Sequence, residues 1–406
     1  MYITGFGTIV PGADNNDLLW DNIRNKKIFF NKKTISNGID ILVAEEPKYD
    51  LDMYNIPKKN LRRMDIQMVY SLISSINCVK DAKLNFDNDE LKKSTGVIAG
   101  SFFAQIAFGM EQVKRVEIKK TTKISPYTGM AFYYGANSGE ISLLFQTQGE
   151  NCAIISGSNI GMDAVSVAEE MMLNNRNEVI LVCASENIVY DIMYYSLKKN
   201  NSITSSKYVP FADDENGAVF ANGAMAFSLE TQKSVLSRNV KPLAILKSHS
   251  TSYCPGYLFE HNKTIINYYI KTVKYCIEKA KIEIDDIDLV IPTASGIKDD
   301  DFFEKEALKI LFGNREKIIY TPKPVVGNGL SYNVLLDFFV ATKCINESYI
   351  PGMPESIVTK DKVFDKMMVI ETVYKEIKNV LVIHKSFIDG KISSVVIGKS
   401  DLYANS

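Results

Sequence analysis

The chain has 406 residues, a formal net charge of −1, 46% hydrophobic residues and 23% charged residues. A single hydrophobic core stops growing near about 250–300 residues, so we expect two domains or two related halves. The balanced charge, without a basic stripe, argues against a nucleic-acid partner, and no run reaches the roughly 18 apolar residues of a membrane span.

The N-terminus and the cysteines indicate a cytoplasmic location. The opening run Met1-Tyr2-Ile3-Thr4-Gly5 has no basic segment and no cleavage site, so it does not predict a signal peptide. The six cysteines are widely spaced and form no Cys-x-x-Cys pair. We expect them to be reduced, buried hydrophobic residues, and we expect no metal site.

Short β-branched runs alternate with amphipathic stretches, which predicts parallel or mixed sheets buried on both faces. The predicted strands occupy residues 1–4, 95–99, 178–184, 223–229, 243–248, 288–291, 318–320, 380–384 and 393–397. The predicted helices occupy residues 16–25, 66–82, 163–174, 264–280, 302–311 and 334–342. Gly5-Phe6-Gly7 starts like a dinucleotide fingerprint, but Val10 stands at the third glycine position and no helix begins there. We therefore predict a tight turn after the first strand and no cofactor.

Several stretches, in order and across nearly the whole chain, resemble the elongating β-ketoacyl-acyl-carrier-protein synthases. They are residues 2–7 and 20–23, Arg62-Arg63-Met64-Asp65, residues 124–126 and 136–142, the run 210–217, and residues 223–224 and 229–230. Their order and spacing together are more specific than any one motif. The resemblance implies an α/β, thiolase-like, five-layered αβαβα fold of two related halves, residues 1–235 and 236–406. It also implies a dimer built edge to edge through the central sheets.

In that family a cysteine in a Cys-x-x-Gly motif at the start of a helix takes the acyl chain. A cysteine suits this step because its thiolate is nucleophilic near neutral pH, above all at a helix N-terminus. The matching run here is Ser158-Asn159-Ile160-Gly161, so Ser158 stands at the cysteine position. Cys152 lies six residues earlier in a predicted strand, and we expect it to be core.

Two histidines of the family donate hydrogen bonds to the negative charge that develops during decarboxylation and condensation. The resemblance places Ser295 at the first of these positions and Asn328 at the second, whereas the lysine of the second motif is retained as Lys323. The glycine-rich gate is altered as well, with Phe387 retained and Asp389 at the gating aromatic position.

The three histidines of the chain, His249, His261 and His384, fall outside these motifs. We expect His384, the nearest in sequence, to be a satisfied structural histidine at a strand end. Ser158 then has no imidazole base at either family position, and condensation by this chain alone is predicted to be lost.

A ketosynthase-like chain without the catalytic cysteine and histidines resembles the chain-length factor of type II polyketide synthases. That subunit pairs with an active ketosynthase and shapes the tunnel for the chain carried by acyl carrier protein. Two alternatives remain open. The chain is a diverged acyltransferase or decarboxylase that uses Ser158 with Lys323 or Asp389, or it is an acyl-chain or carrier-protein binding protein without a synthase partner. The residues do not distinguish the product or its length.

The resemblance also places three tunnel-stopping positions at Ile106, Gly109 and Val113. Their spacing of three and then four puts them on one face of a predicted helix. Glycine in a helix interior costs roughly 1 kcal/mol relative to alanine, so Gly109 indicates a packing or access requirement. Because the three residues are small, we predict a deep pocket for a long, slim chain such as a polyene.

Overall fold

The computed structural model describes residues 1–36, 38–174, 176–212, 217–255, 264–313, 315, 317–354 and 361–402. His261 and four positions of the 210–217 motif lie outside the described residues.

The strands follow the predicted order, and most begin and end within a few residues of the predicted bounds. They are β1 (Tyr2–Ile9), β2 (Phe30–Thr34), β3 (Asp40–Ala44), β4 (Thr95–Gly100), β5 (Asn151–Ile154), β6 (Val179–Glu186), β7 (Gly223–Glu230), β8 (Ala244–Tyr253), β9 (Leu289–Ile291), β10 (Ile318–Ile319), β11 (Tyr349–Ile350), β12 (Val373–Tyr374), β13 (Asn379–Lys385) and β14 (Lys391–Gly398).

All six predicted helices are present, and shorter helices accompany them. The helices are α1 (Asn16–Arg24), α2 (Lys58–Leu61), α3 (Ile66–Asp81), α4 (Asp89–Lys93), α5 (Ile106–Lys119), α6 (Thr128–Ala131), α7 (Ala136–Phe145), α8 (Ile160–Leu173), α9 (Asp191–Lys199), α10 (Gln232–Ser237), α11 (Thr264–Lys279), α12 (Lys298–Phe312), α13 (Lys323–Val326), α14 (Asn333–Glu347) and α15 (Lys362–Asp365).

The main sheet consists of two units that repeat one topology. Its order is β10-β9-β13-β14-β8-β1-β7-β6-β4-β5, and a short antiparallel pairing of β1 with β8 joins the two halves. Counted outward from that junction, the strands of the first unit are β1, β7, β6, β4 and β5, and those of the second unit are β8, β14, β13, β9 and β10. Numbered by their order along the chain within each unit, both series run first, fifth, fourth, second and third. The second strand is parallel to both of its neighbours in each unit, β4 in the first and β9 in the second. The prediction of two related halves is therefore confirmed.

Helices cover both units on both faces. α3 packs on β1, β6 and β7, whereas α11 packs on β8 and β14. Between the units lie α8 and α14, which contact each other and strands of both halves. The layers thus run helix, sheet, helix, sheet, helix, as the family resemblance implied. Residues of α14 are buried around almost the whole helix, as expected for a helix sandwiched between two sheets.

Gly5 and Gly7 lie inside β1, so the predicted turn at Gly5-Phe6-Gly7 is wrong. A Cβ atom on Gly7 would lie 1.8 Å from the carbonyl oxygen of Ser74, and one on Gly5 would lie 2.4 Å from the amide nitrogen of Ala82. Both contacts are with α3 or the residue after it, so the glycines allow that helix to approach the strand closely.

Cys152 is only partly buried, because β5 is the last strand of the sheet; the other five cysteines are buried, and all six are free. Among the described residues, no helix combines the length and the apolar character needed to cross a membrane. The division of the chain between residues 235 and 236 stays a prediction.

Candidate active site

Ser158 lies where the chain turns sharply from β5 into α8. It is the middle residue of a 3-10 turn, Gly157–Asn159, and its side chain is 2% exposed. Gly157 has a φ of 63°, a left-handed conformation that glycine adopts without steric strain. The turn places the hydroxyl beside the N-terminus of a 14-residue helix, where the peptide dipoles favour negative charge.

Two groups from the end of β13 and the loop after it meet the Ser158 hydroxyl. Nε2 of His384 lies 3.1 Å from Oγ, and the backbone N–H of Phe387 donates a hydrogen bond of 2.8 Å to the same oxygen. The prediction that His384 is a satisfied structural histidine is wrong. It is buried beside Ser158, and its Nδ1 atom has no hydrogen-bond partner among the described residues.

The surroundings of His384 keep its imidazole neutral. Burial, first, and the nearby positive charges of Lys323 and Lys385 together lower the pKa of His384 to about 3. A neutral ring keeps one nitrogen with a free lone pair, so it can accept a hydrogen bond at any physiological pH.

Lys323 is held in a fully buried ion pair. Its Nζ atom donates to both carboxylate oxygens of Asp337, at 2.8 and 3.0 Å, and lies 3.4 Å from the carbonyl oxygen of Pro292. Both charged side chains are 0% exposed. The ammonium group is therefore committed to the carboxylate and does not contact Ser158.

Ser295 forms hydrogen bonds with residues at the start of α12. Its hydroxyl donates a 2.7 Å hydrogen bond to Asp301 and accepts one of 3.0 Å from the amide of Ile297. Burial raises the pKa of Asp301 to about 6, opposed by hydrogen bonds from Ser295 and two backbone amides. The side chain that stands at the first histidine position is thus part of a buried loop-to-helix network.

The side-chain oxygen of Asn328 is also engaged by neighbouring residues. Its Oδ1 atom accepts hydrogen bonds from the amide of Leu330, at 3.0 Å, and from the side chain of Asn333, at 2.7 Å. Its backbone bonds to Val219 and Ala221. Among the described residues, neither Asn328 nor Ser295 makes a hydrogen bond to Ser158.

The loops that carry these positions converge at the carboxyl ends of β9 and β13, which are parallel neighbours. The amide of Lys385 donates a 2.8 Å hydrogen bond to the hydroxyl of Thr293, and its ammonium group lies 2.8 Å from Asp300. This edge of an open α/β sheet is where such folds place their sites.

The segment predicted to be the gate, residues 386–390, contacts Ser158 through the backbone amide of Phe387. The ring of Phe387 packs against Phe102 and Phe220, with centroid separations of 6.0 and 5.7 Å. Asp389 accepts a hydrogen bond from the amide of Lys391 at 2.9 Å, so it shapes its own loop. Ile388, between Phe387 and Asp389, is half exposed, so part of this segment lies at the surface.

Glu186 is a buried group at the site that the sequence argument missed. It accepts hydrogen bonds from the amides of Phe102 and Phe103, and burial raises its pKa to about 7. It therefore anchors the loop whose phenylalanine packs on the gate. The sequence signal for Glu186 was a carboxylate at the end of the apolar strand β6. For His384, the signal was its place three residues before Phe387 on a buried strand.

The predicted tunnel positions lie on α5. Gly109 is buried, Ile106 is partly buried, and Val113 is exposed. A Cβ atom on Gly109 would lie 2.7 Å from the ring of Phe132. The room beside Gly109 is therefore occupied by an aromatic ring, and a deep pocket at this point requires that ring to move.

Comparisons with known proteins agree with this arrangement. The family model described as "Beta-ketoacyl synthase, N-terminal domain" matches residues 1–234, and the one described as "Beta-ketoacyl synthase, C-terminal domain" matches residues 266–355. The tetracenomycin polyketide synthase ketoacyl synthase beta subunit of Streptomyces glaucescens is 20% identical over 370 residues, which cover 86% of each chain.

Solved structures share the fold. The ishigamide ketosynthase/chain length factor has a TM-score of 0.86 at 17% identity and covers 98% of each chain. A type II PKS acyl-carrier protein in complex with its ketosynthase bound to the hexaketide gives a TM-score of 0.82 at 18% identity, covering 98% of this chain and 99% of that chain. Through the two family models, which together span most of its length, the chain belongs to the β-ketoacyl synthase family.

Proposed function

We propose that this chain is a non-condensing β-ketoacyl synthase homologue that pairs with an active ketosynthase and helps to shape the tunnel for the growing acyl chain. The observation that carries the proposal is the state of the two histidine positions. Neither position carries an imidazole; Ser295 and Asn328 are buried, the Ser295 hydroxyl is engaged with Asp301 and Ile297, and the Asn328 side-chain oxygen is engaged with Leu330 and Asn333.

Condensation needs donors aimed at the oxygen that becomes negative when the malonyl unit loses CO2. The hydroxyl of Ser295 is directed at Asp301, so it donates to a carboxylate and not into the site. The Asn328 side chain is fixed through its Oδ1 atom by Asn333 and Leu330. A decarboxylase would need the same donors, so these contacts weigh against that alternative too.

The outer edge of the sheet supports pairing. β5 is the last strand on its side, and an unpaired edge exposes backbone groups that favour association with another strand. Elements next to it expose large apolar side chains: Tyr133 is 65% exposed, Leu143 66% and Ile155 60%. An apolar surface flanking an open sheet edge is typical of an obligate interface.

The names of the relatives support the choice of partner. One is a ketoacyl synthase beta subunit of a polyketide synthase, and a structural neighbour is a ketosynthase/chain length factor. We infer that the partner of this chain is an active ketosynthase and that acyl carrier protein delivers the chain to the pair.

The tunnel follows from the same pairing. Ile106, Gly109 and Val113 lie on α5, which contacts α6, and the Phe132 ring that follows α6 packs on Gly109. In this proposal a partner covers the exposed part of this surface, and Phe132 together with the small residues of α5 sets how far the acyl chain reaches.

The test is reconstitution of condensation. The full chain alone, incubated with acyl- and malonyl-carrier protein, should give no ketoacyl product, and Ser158→Cys should not restore it because Ser295 and Asn328 still stand where the family has its two histidines. The matched control is an intact ketosynthase under the same conditions. Ketoacyl product from the isolated chain that disappears in Ser158→Ala would overturn the proposal.

A further inference from the structure

We propose that Ser158 and His384 form a serine acyl-transfer dyad, which accepts the acyl group of a thioester as a serine oxyester, with the Phe387 amide holding the carbonyl oxygen. This activity goes beyond pairing and does not depend on it. It also differs from condensation, because it needs no donor at Ser295 or Asn328.

The geometry supplies a nucleophile, an acceptor and an oxyanion donor in one place. Oγ of Ser158 lies 3.1 Å from Nε2 of His384, within the range expected of a nucleophile and its base. Oγ already accepts the Phe387 amide hydrogen at 2.8 Å, so the serine's own hydrogen is available to the imidazole. The carbonyl oxygen of a bound acyl group lies two bonds from Oγ, within reach of the same amide.

The charges around His384 keep its imidazole in the neutral state. Lys323 and Lys385 disfavour a proton on the ring, and each is itself paired with a buried carboxylate, Asp337 and Asp300. The dyad uses the tautomer that carries the ring hydrogen on Nδ1, because only that tautomer presents an Nε2 lone pair to the Ser158 hydroxyl.

The acyl transfer balances without any further reactant. Oγ attacks the thioester carbonyl carbon while its proton passes to Nε2 of His384, and the negative oxygen is held by the Phe387 amide. The carbon–sulfur bond then breaks, the imidazolium returns the proton to the departing sulfur, and a free thiol leaves. The product is an acyl ester on Ser158, which persists until another acceptor takes the acyl group.

The low basicity of His384 limits the rate of acyl transfer to Ser158. A weak base removes the serine proton reluctantly, so the transfer should be slow, whereas its conjugate acid donates readily to the leaving thiolate. Access requires the ring of Phe387 to leave its contacts with Phe102 and Phe220. Because the adjacent Ile388 is half exposed, this movement displaces a surface segment and leaves the core in place.

The test uses the full chain and octanoyl-N-acetylcysteamine as the acyl thioester, with release of free thiol and mass spectrometry of the serine peptide as readouts. One octanoyl group should appear on Ser158 and be absent in Ser158→Ala. His384→Gln should slow the labelling about 100-fold, the lower end for loss of a general base. Ser156→Ala, two residues away, is the matched control and should label at the wild-type rate.

A second measurement does not depend on any variant. Because His384 is neutral down to a pKa of about 3, the labelling rate of the wild-type chain should be constant between about pH 5 and pH 8. A rate that falls below about pH 6.5, or that rises tenfold with each pH unit, would overturn the assignment of His384. An unlabelled Ser158 peptide, or equal rates for wild type and His384→Gln, would overturn the dyad itself.

Discussion

The buried pair of Lys323 and Asp337 offers a prediction whose size follows from the structure. Both side chains are 0% exposed, and the ammonium group contacts both carboxylate oxygens at 3.0 Å or less. Asp337→Ala would leave a buried ammonium ion with only the carbonyl oxygen of Pro292 at 3.4 Å. Removing one partner of such a pair costs about 3–5 kcal/mol, because the remaining charge is neither hydrated nor paired.

The double variant Lys323→Met/Asp337→Leu separates this cost from loss of packing. Apolar side chains of similar volume remove both charges, so its free energy of unfolding should be close to that of the wild type or higher. The exposed pair of Glu90 and Lys93 is the matched control, because its charges are hydrated before and after the change. Glu90→Ala should therefore leave the denaturation midpoint where it is.

The assay is denaturant unfolding followed by circular dichroism, with the slope compared among all the variants. A loss below about 1 kcal/mol for Asp337→Ala would show that water reaches Lys323 and that the pair is not buried as described. A double variant less stable than Asp337→Ala would show that the side chains contribute packing and not charge compensation.

Three further predictions concern the site and its surroundings. Relative to wild type, the free energy of unfolding of His384→Gln should rise by about 2 kcal/mol between pH 6.5 and pH 5. In that window an unfolded histidine takes up a proton, whereas the buried one, with a pKa of about 3, does not. A stability difference independent of pH would contradict this. Gly109→Phe should displace the ring of Phe132 and shorten the product of the reconstituted pair, as measured by mass spectrometry, whereas an unchanged length with normal assembly would remove α5 from the tunnel. Ile155→Lys places a charge beside the exposed sheet edge and should abolish co-purification with the ketosynthase, while the same change at the exposed Ile310 of α12, far along the sheet, should not.

Most of the fold was predictable because the sequence pattern is strong where burial is complete. β4 and β6 are buried throughout and appear as continuous apolar runs. α3 was predicted almost to the residue from its amphipathic pattern, and in the structure Asp65 caps its first turn. The pattern failed at Gly5 and Gly7, where glycine serves the approach of α3 and not a turn.

The site was predictable only in part, because side chains that meet in space come from distant parts of the chain. Alignment with a family motif located Ser158, Ser295 and Asn328, but it assigned a base only to the positions that the family uses. His384 comes from a strand 226 residues away from Ser158. Their contact arises in the folded chain, where the turn between β5 and α8 meets the end of β13.

The most direct test of the proposed function is co-expression of this chain with an intact ketosynthase, followed by size-exclusion chromatography with light scattering and a condensation assay on each fraction. We expect a heterodimer in a 1:1 ratio, with condensing activity in the pair and none in the isolated chain. A stable monomer that does not associate with the ketosynthase, or ketoacyl product from the isolated chain, would contradict the proposal.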